Sequence, residues 1–253
     1  MRSDTDFGAA YRELEARMQR RAEADGDVFL PNPAPVGPAD YVFVCMEPSL
    51  GRWARSTDEA KVKVDAGFRN FLSSIEDFIL HFCIREYLCA PTQRYHITDL
   101  SKGAMLVAHA GVARSQRYDR WYELLVEELD LVATSGAGII AVGNAVAHHL
   151  KRRAFPKPFT TVIHYSGLAA RARAAGIVGH EDGFAALTPS LSLKRVLATA
   201  EEVLIASAVP ARLRDETLAR LATSQLSESW QQLIFTYKLA FAALRSSGWT
   251  ALP

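Results

Sequence analysis

YVFVCM, residues Tyr41–Met46, decides the fold. The run is apolar, β-branched or aromatic without interruption, as a strand buried on both faces requires. Ahead of it, PNPAPVGP carries Pro31, Pro33, Pro35 and Pro38, which cannot continue a helix. Before that loop, Phe7 to Ala24 are rich in Ala, Glu, Arg and Leu and read as a surface helix. Downstream, Phe71, Leu72, Ile75, Phe78, Ile79 and Phe82 fall on one helical stripe. RYHITDL supplies a second short strand, from about Tyr95 to Thr98, and Trp121, Leu124, Leu125, Leu129 and Val132 mark a further helix. GIIAVG (Gly138 to Gly143) is a third strand opening a short helix, and TTVIH (Thr160 to His164) a fourth.

Short hydrophobic strands alternating with helices predict an α/β fold. The expected form is a three-layer α/β/α sandwich around a short, mainly parallel four-stranded sheet. Beyond Pro189 the pattern is helical only, with one stripe through Leu193, Val196, Leu197, Ala200, Val203 and Leu204. A second runs through Trp230, Leu233, Ile234, Tyr237 and Leu244. A single domain over residues 1–253 is expected. Residues 1–39 would form its N-terminal helix and proline-rich loop, and 190–253 a helical extension packed on it.

Composition bounds the function. The 253 residues are 49% hydrophobic and 23% charged, which excludes disordered, collagen-like and disulfide-dense chains. With 29 Lys+Arg against 28 Asp+Glu, any nucleic-acid surface must be local. Cys45, Cys83 and Cys89 are odd in number, lack a C-x-x-C pair and cannot supply a four-cysteine metal site. The first residues have no signal-peptide core, and no window reaches the roughly 18 apolar residues of a membrane span. A cytoplasmic, reduced, monomeric protein without metal or organic cofactor is the expectation.

Open parallel sheets bind ligands at the carboxyl ends of their strands. There the sequence offers Glu47-Pro48-Ser49, Asp99, Gly143-Asn144 and His164-Tyr165-Ser166. Two carboxylates, an amide and an imidazole on one edge would suit acid–base or electrostatic catalysis. Each has a plainer alternative: Glu47 as a cap or ion-pair partner, Asp99 as the cap of the next helix, His164 as a packed side chain.

On these residues the chain resembles the uracil-DNA glycosylase superfamily. The carriers are VFVCMEPS (Val42 to Ser49) and His-x-Ser-x-Leu, here His164-Tyr165-Ser166-Gly167-Leu168. Between them, YHITDLSK (Tyr95 to Lys102) and GIIAVGNAVAHHL (Gly138 to Leu150) are similar to the family's intervening segments, in the same order. The resemblance spans roughly residues 40 to 175 and implies base flipping into a pocket that reads the base edge. By position, Glu47 matches the residue that places the attacking water and opposes positive charge on the sugar. His164 matches the histidine that stabilises the anion growing on uracil O2. Base contacts are implied for Met46, Pro48, Ser49, Asn70, Asp99 and Asn144. Phe71, or Phe68 in the same GFRNF run, would stack on the base unless both are ordinary core. DNA contacts are implied for Ser166 and for Leu168, the apolar wedge, and phosphate contacts for Arg52, Lys102, Arg171 and Arg173.

Three departures matter. Asp99 stands where the family has a base-reading Asn. An ionised Asp only accepts hydrogen bonds, so it suits uracil N3–H but opposes O4 unless burial keeps it protonated. Asn70 or Asn144 would otherwise supply the amide, and cytosine, with its exocyclic amine, becomes a conceivable ligand. Ser49 is small where some members carry Tyr, which opens the C5 side. Tyr165 and Gly167 replace two prolines, so the histidine loop should be more flexible. The rivals are a member that binds DNA or abasic sites without catalysis, one that excises another base, and an unrelated α/β hydrolase or nucleotide-binding protein. Against the last, neither G-x-G-x-x-G nor a P-loop occurs.

Overall fold

The computed structural model describes residues 4–51, 53–106 and 114–246. The chain is mixed α/β, with a four-stranded parallel sheet flanked by helices, consistent with the three-layer sandwich predicted by the strand–helix alternation. The chain divides into two compact units. Among the described residues, one is drawn from 4–70 and 94–161, the other from 71–93 and 162–246.

In the first unit, β1 (Val28–Phe29) and β4 (Gly103–Ala104) form a small antiparallel ribbon. The main sheet comprises β2 (Ala39–Cys45), β3 (Tyr95–Asp99), β5 (Ala133–Val142) and β6 (Phe159–Val162), in the order β3-β2-β5-β6. Strand β2 runs parallel to β3, with Cys45 opposite Asp99, and parallel to β5, with Val44 opposite Ala141. Connections from β2 to β3 and from β5 to β6 therefore leave in opposite directions. The topological switch point, where such sheets open a crevice, lies between the carboxyl ends of β2 and β5.

Alternation along the strands sends Val42, Val44, Ile139 and Ala141 into one core. Helix α4 (Arg114–Val132) covers them with Leu125, Leu129 and Val132, and α5 (Asn144–Arg152) adds Val146 and Leu150. Helix α1 (Asp4–Ala24) lies at the surface with one face buried. Phe7, Tyr11, Leu14, Met18 and Ala22 recur at three- and four-residue spacing and seat the helix on α4. Burying each larger side chain of this stripe stabilises by about 1.5–3 kcal/mol. A smaller cluster joins Val28, Leu30, Leu50 and Ala104 to Ala60 of α2 (Thr57–Asp65).

The second unit is helical. It contains α3 (Ile75–Cys83), a π-helical turn at Ile84–Leu88, α6 (Ala170–Ala175), α7 (Glu181–Leu187), α8 (Leu193–Ala206), α9 (Ala211–Ala222) and α10 (Glu228–Ser246). Helix α10 packs on α3, the π turn, α6 and α7, while α8 packs on α3 and α9. Among the described residues no helix is long and apolar enough to cross a membrane.

Phe71 and Leu72 do not belong to α3, contrary to the stripe. Ser74 and Asp77 form a capping box: Ser74 Oγ accepts from Asp77 N at 3.1 Å, and Asp77 Oδ2 accepts from Ser74 N at 2.8 Å. That reciprocal pair starts the helix at Ile75. Phe71 instead takes a left-handed backbone with φ 58°, an outlier for a bulky residue, and is 3% exposed. Its carbonyl accepts a 3.1 Å bond from His81 Nε2, whose ring burial keeps neutral by pushing its pKa down to about 4. Left-handed backbone costs a residue with a Cβ about 1–2 kcal/mol. Phe71→Gly should therefore unfold at a higher urea concentration than Phe71→Ala, the reverse of the usual order, in paired titrations.

Candidate active site

Glu47 lies just past the end of β2. The ladder continues beside it, with Leu100 N donating to Cys45 O at 2.9 Å and Ser101 N to Met46 O at 3.4 Å. Both carboxylate oxygens are held from α4. Arg114 Nε donates to Oε1 at 2.9 Å, and the Tyr118 hydroxyl donates to Oε2. The Glu47 side chain is only 3% exposed. Burial raises its pKa above the usual carboxylate range although Arg114 opposes the shift, so Glu47 is a stronger base than an exposed glutamate.

Asp99 ends β3 at the same edge and heads a buried polar chain. Its Oδ2 accepts from Asn70 Nδ2 at 2.5 Å, and the same amide donates to Asn32 Oδ1 at 3.3 Å. Asn32 Nδ2 donates to Thr98 Oγ1 at 3.2 Å, and Thr98 donates to Glu128 Oε2 at 2.8 Å. Glu128 also accepts from His96 Nε2 at 3.0 Å and from Lys102 Nζ at 2.5 Å. Burial alone would raise the Glu128 pKa, but the Lys102 charge and the bonds from His96 and Lys102 hold it down to about 2. Asp99 goes the other way. Burial lifts it to about 8, against Lys102 and Asn70 and with help from the Glu47 and Glu128 charges.

The two carboxyls are thus driven to opposite protonation states by their different partners. Asp99 keeps its proton at neutral pH and donates as well as accepts. Both N–H groups of Asn70 are spent on Asp99 and Asn32, so Asn70 offers no free amide donor. Asn144 opens α5 directly after Gly143, whose φ of 96° suits a residue without Cβ, and is exposed.

The remaining expected positions of this unit are mixed. Met46 packs against the main core, and Pro48 is buried. Ser49 is partly exposed, bridges to Met105, and its carbonyl accepts from Trp53 Nε1 at 2.7 Å. Phe68 stacks on Trp53 with centroids 4.6 Å apart, so one ring face is taken. Lys102 corrects the expectation of a phosphate contact: it is 2% exposed, and its ammonium is spent on Glu128 and Thr98. A cation with its donors sealed inside cannot reach a backbone phosphate. Arg52 and the side chain of Leu168 lie outside the described residues.

His164 belongs to the second unit, two residues past the end of β6 rather than at its last position. Its Nδ1 accepts from Ser166 N at 3.0 Å, and its ring stacks on Tyr165 with centroids 4.8 Å apart. Burial, and secondarily the Arg173 charge, push its pKa down to about 4. The ring is neutral at pH 7. With Nδ1 engaged as an acceptor, Nε2 carries the proton and is the ring's donor. Arg171 is exposed on α6. Arg173 is not, which corrects a second expected phosphate contact. It is 1% exposed, with Nη2 donating to Ser166 O at 2.5 Å and Nη1 to Ser229 O at 3.3 Å.

Sequence reasoning missed Arg114, Tyr118, Asn32, His96 and Glu128. Glu128 carried a signal: unlike its acidic neighbour Glu127, it shares the inward stripe of α4 with Leu125 and Leu129. Among the described residues no three His, Cys, Asp or Glu side chains are grouped to hold a metal. No protein-family model, curated protein or solved structure matches the chain.

Proposed function

We propose that the protein is a DNA glycosylase that hydrolyses the N-glycosidic bond of uracil in DNA, acting as a cytoplasmic monomer without metal or cofactor. The observation that carries this reading is the state of His164. Within the His-x-Ser motif, the Ser166 amide occupies Nδ1 and burial keeps the ring neutral, which leaves a fixed Nε2–H donor. Such a donor stabilises a departing uracil anion at O2 without giving up its proton. The base, flipped from the duplex, leaves with the electron pair of the broken bond while positive charge gathers on the sugar. Glu47, buried and held by Arg114 and Tyr118, orients water towards the sugar carbon and takes the proton that water loses. Asp99, protonated at neutral pH, donates to uracil O4 and accepts from N3–H. The parallel sheet, with Glu47 and Asp99 at one edge, agrees with the motif resemblance.

The test uses labelled oligonucleotides with one uracil, single- and double-stranded, followed by alkaline cleavage of abasic sites. Cleavage should depend on uracil and fall about 10²–10³-fold in His164→Ala. Binding without cleavage would identify a DNA- or abasic-site-binding protein, and neither would remove the glycosylase reading. A wild-type rate in His164→Ala would refute the role given to that ring. One observation favours a second reading, excision of another base. Asn70 has no amide hydrogen to spare and Asp99 stands where the resembled family has its base-reading Asn, so cytosine, thymine and hypoxanthine substrates belong in the same assay.

A further inference from the structure

The loop around His164 lacks the prolines that would stiffen it, yet its backbone is gripped from outside. The carbonyl just before His164, that of Ile163, accepts from the Tyr237 hydroxyl of α10 at 2.9 Å. Two residues after it, the Ser166 carbonyl accepts from Arg173 Nη2, and the same guanidinium reaches Ser229 O at the start of α10. Tyr237 is wholly buried and Arg173 is 1% exposed. Ser166 in turn presents its N–H to His164 Nδ1.

Arg173 is costly to place. Among the described residues its Nε has no hydrogen-bond partner, and no ion pair closes on its guanidinium. A buried cation whose hydrogen bonds go to two carbonyls and to no carboxylate is a poor stability device. It is a good clamp, because the planar fork bonds two carbonyls in fixed relative position, which a lysine ammonium does less well.

We propose that α10 is the buttress of the histidine loop, and that Tyr237 and Arg173 are positioning residues that set the orientation and tautomer of the His164 ring. The proposal rests on the glycosylase reading for its kinetic consequence, but not for its geometric one. It also gives the helical segment beyond residue 190 a purpose, since α10 supplies the rigidity that the loop's own sequence omits.

The test joins imidazole ¹⁵N NMR to single-turnover excision on the full chain, comparing wild type with Tyr237→Phe, Arg173→Lys and His164→Ala. Tyr237→Phe removes one oxygen and keeps the ring, so it serves if Arg173→Lys does not fold. In the wild type the His164 signals, assigned by their loss in His164→Ala, should show a single Nε2–H tautomer. In the two clamp variants they should broaden or shift towards a tautomer mixture. Uracil excision should fall about 10- to 100-fold in the chemical step with DNA affinity unchanged, as expected for a misplaced group. An unchanged tautomer in a folded Tyr237→Phe variant overturns the proposal. If the wild type excises nothing, the glycosylase reading fails, yet the NMR comparison still decides whether the clamp sets the ring.

Discussion

Glu128→Gln should lower the free energy of unfolding by about 3–5 kcal/mol, the cost of removing one partner from a buried ion pair. Glu128, Lys102 and His96 have side chains 0%, 2% and 4% exposed, so nothing but protein is near to replace the lost charge. The Lys102 ammonium would face an amide in a cavity built for a carboxylate. In a chain of this length that loss corresponds to a melting temperature about 10 °C lower. Glu128→Gln with Lys102→Met should be less destabilised than Glu128→Gln alone, because the stranded charge is removed with its partner. The pH dependence has a definite sign. Glu128 ionises near 2 in the folded protein against 4.5 ordinarily, so its contribution is full above 4.5 and is lost as pH falls towards 2. Urea titrations at pH 7, 4 and 2.5 should show a gap between wild type and Glu128→Gln that narrows with acid. A constant gap would mean that the charge is not what matters.

Asp99→Asn should do the opposite and stabilise the protein at neutral pH. Asp99 holds its proton to about 8 when folded but releases it near 3.8 when unfolded. Between those values the native state binds more protons, so stability falls as pH rises, by at most about 1.4 kcal/mol per unit. An asparagine neither ionises nor suffers that drift. The gain in melting temperature should be small at pH 4 and grow up to pH 8. Within the proposed function the same change has a second readout. Wild-type uracil excision should decline above pH 8 as Asp99 loses the hydrogen it gives to O4, whereas the amide of the Asp99→Asn variant donates at any pH. A parallel decline in both proteins would remove Asp99 from base reading.

The fold class was legible because YVFVCM and GIIAVG are too apolar for anything but doubly covered strands, and strand ends mark where ligands bind. That reasoning reaches Glu47 and Asp99 from the order of residues alone. Other features were hidden for definite reasons. The two-residue strands Val28–Phe29 and Gly103–Ala104 are too short to carry a period. The true start of α3 was readable in Ser74 and Asp77 but was obscured by the apolar pair Phe71 and Leu72. Lys102 and Arg173 misled because formal charge suggests a surface, and only tertiary packing tells which cation has been drawn inside. The partners of Glu47 escaped because Arg114 and Tyr118 are far away in sequence and become neighbours only through the path of α4.

Among the described residues, the second unit is assembled from 71–93 and 162–246, two stretches that the ribosome delivers far apart in time. Ile75, Phe78, Ile79 and Phe82 emerge on α3 well before α8 and α10, which cover that helix, have been made. Throughout that interval the nascent chain carries an uncovered greasy face. Any message truncated before α8 leaves it permanently exposed, a target for chaperones and proteases. Frameshifts ahead of α8 should therefore act as loss-of-protein alleles, visible as missing chain rather than as a chain of altered function.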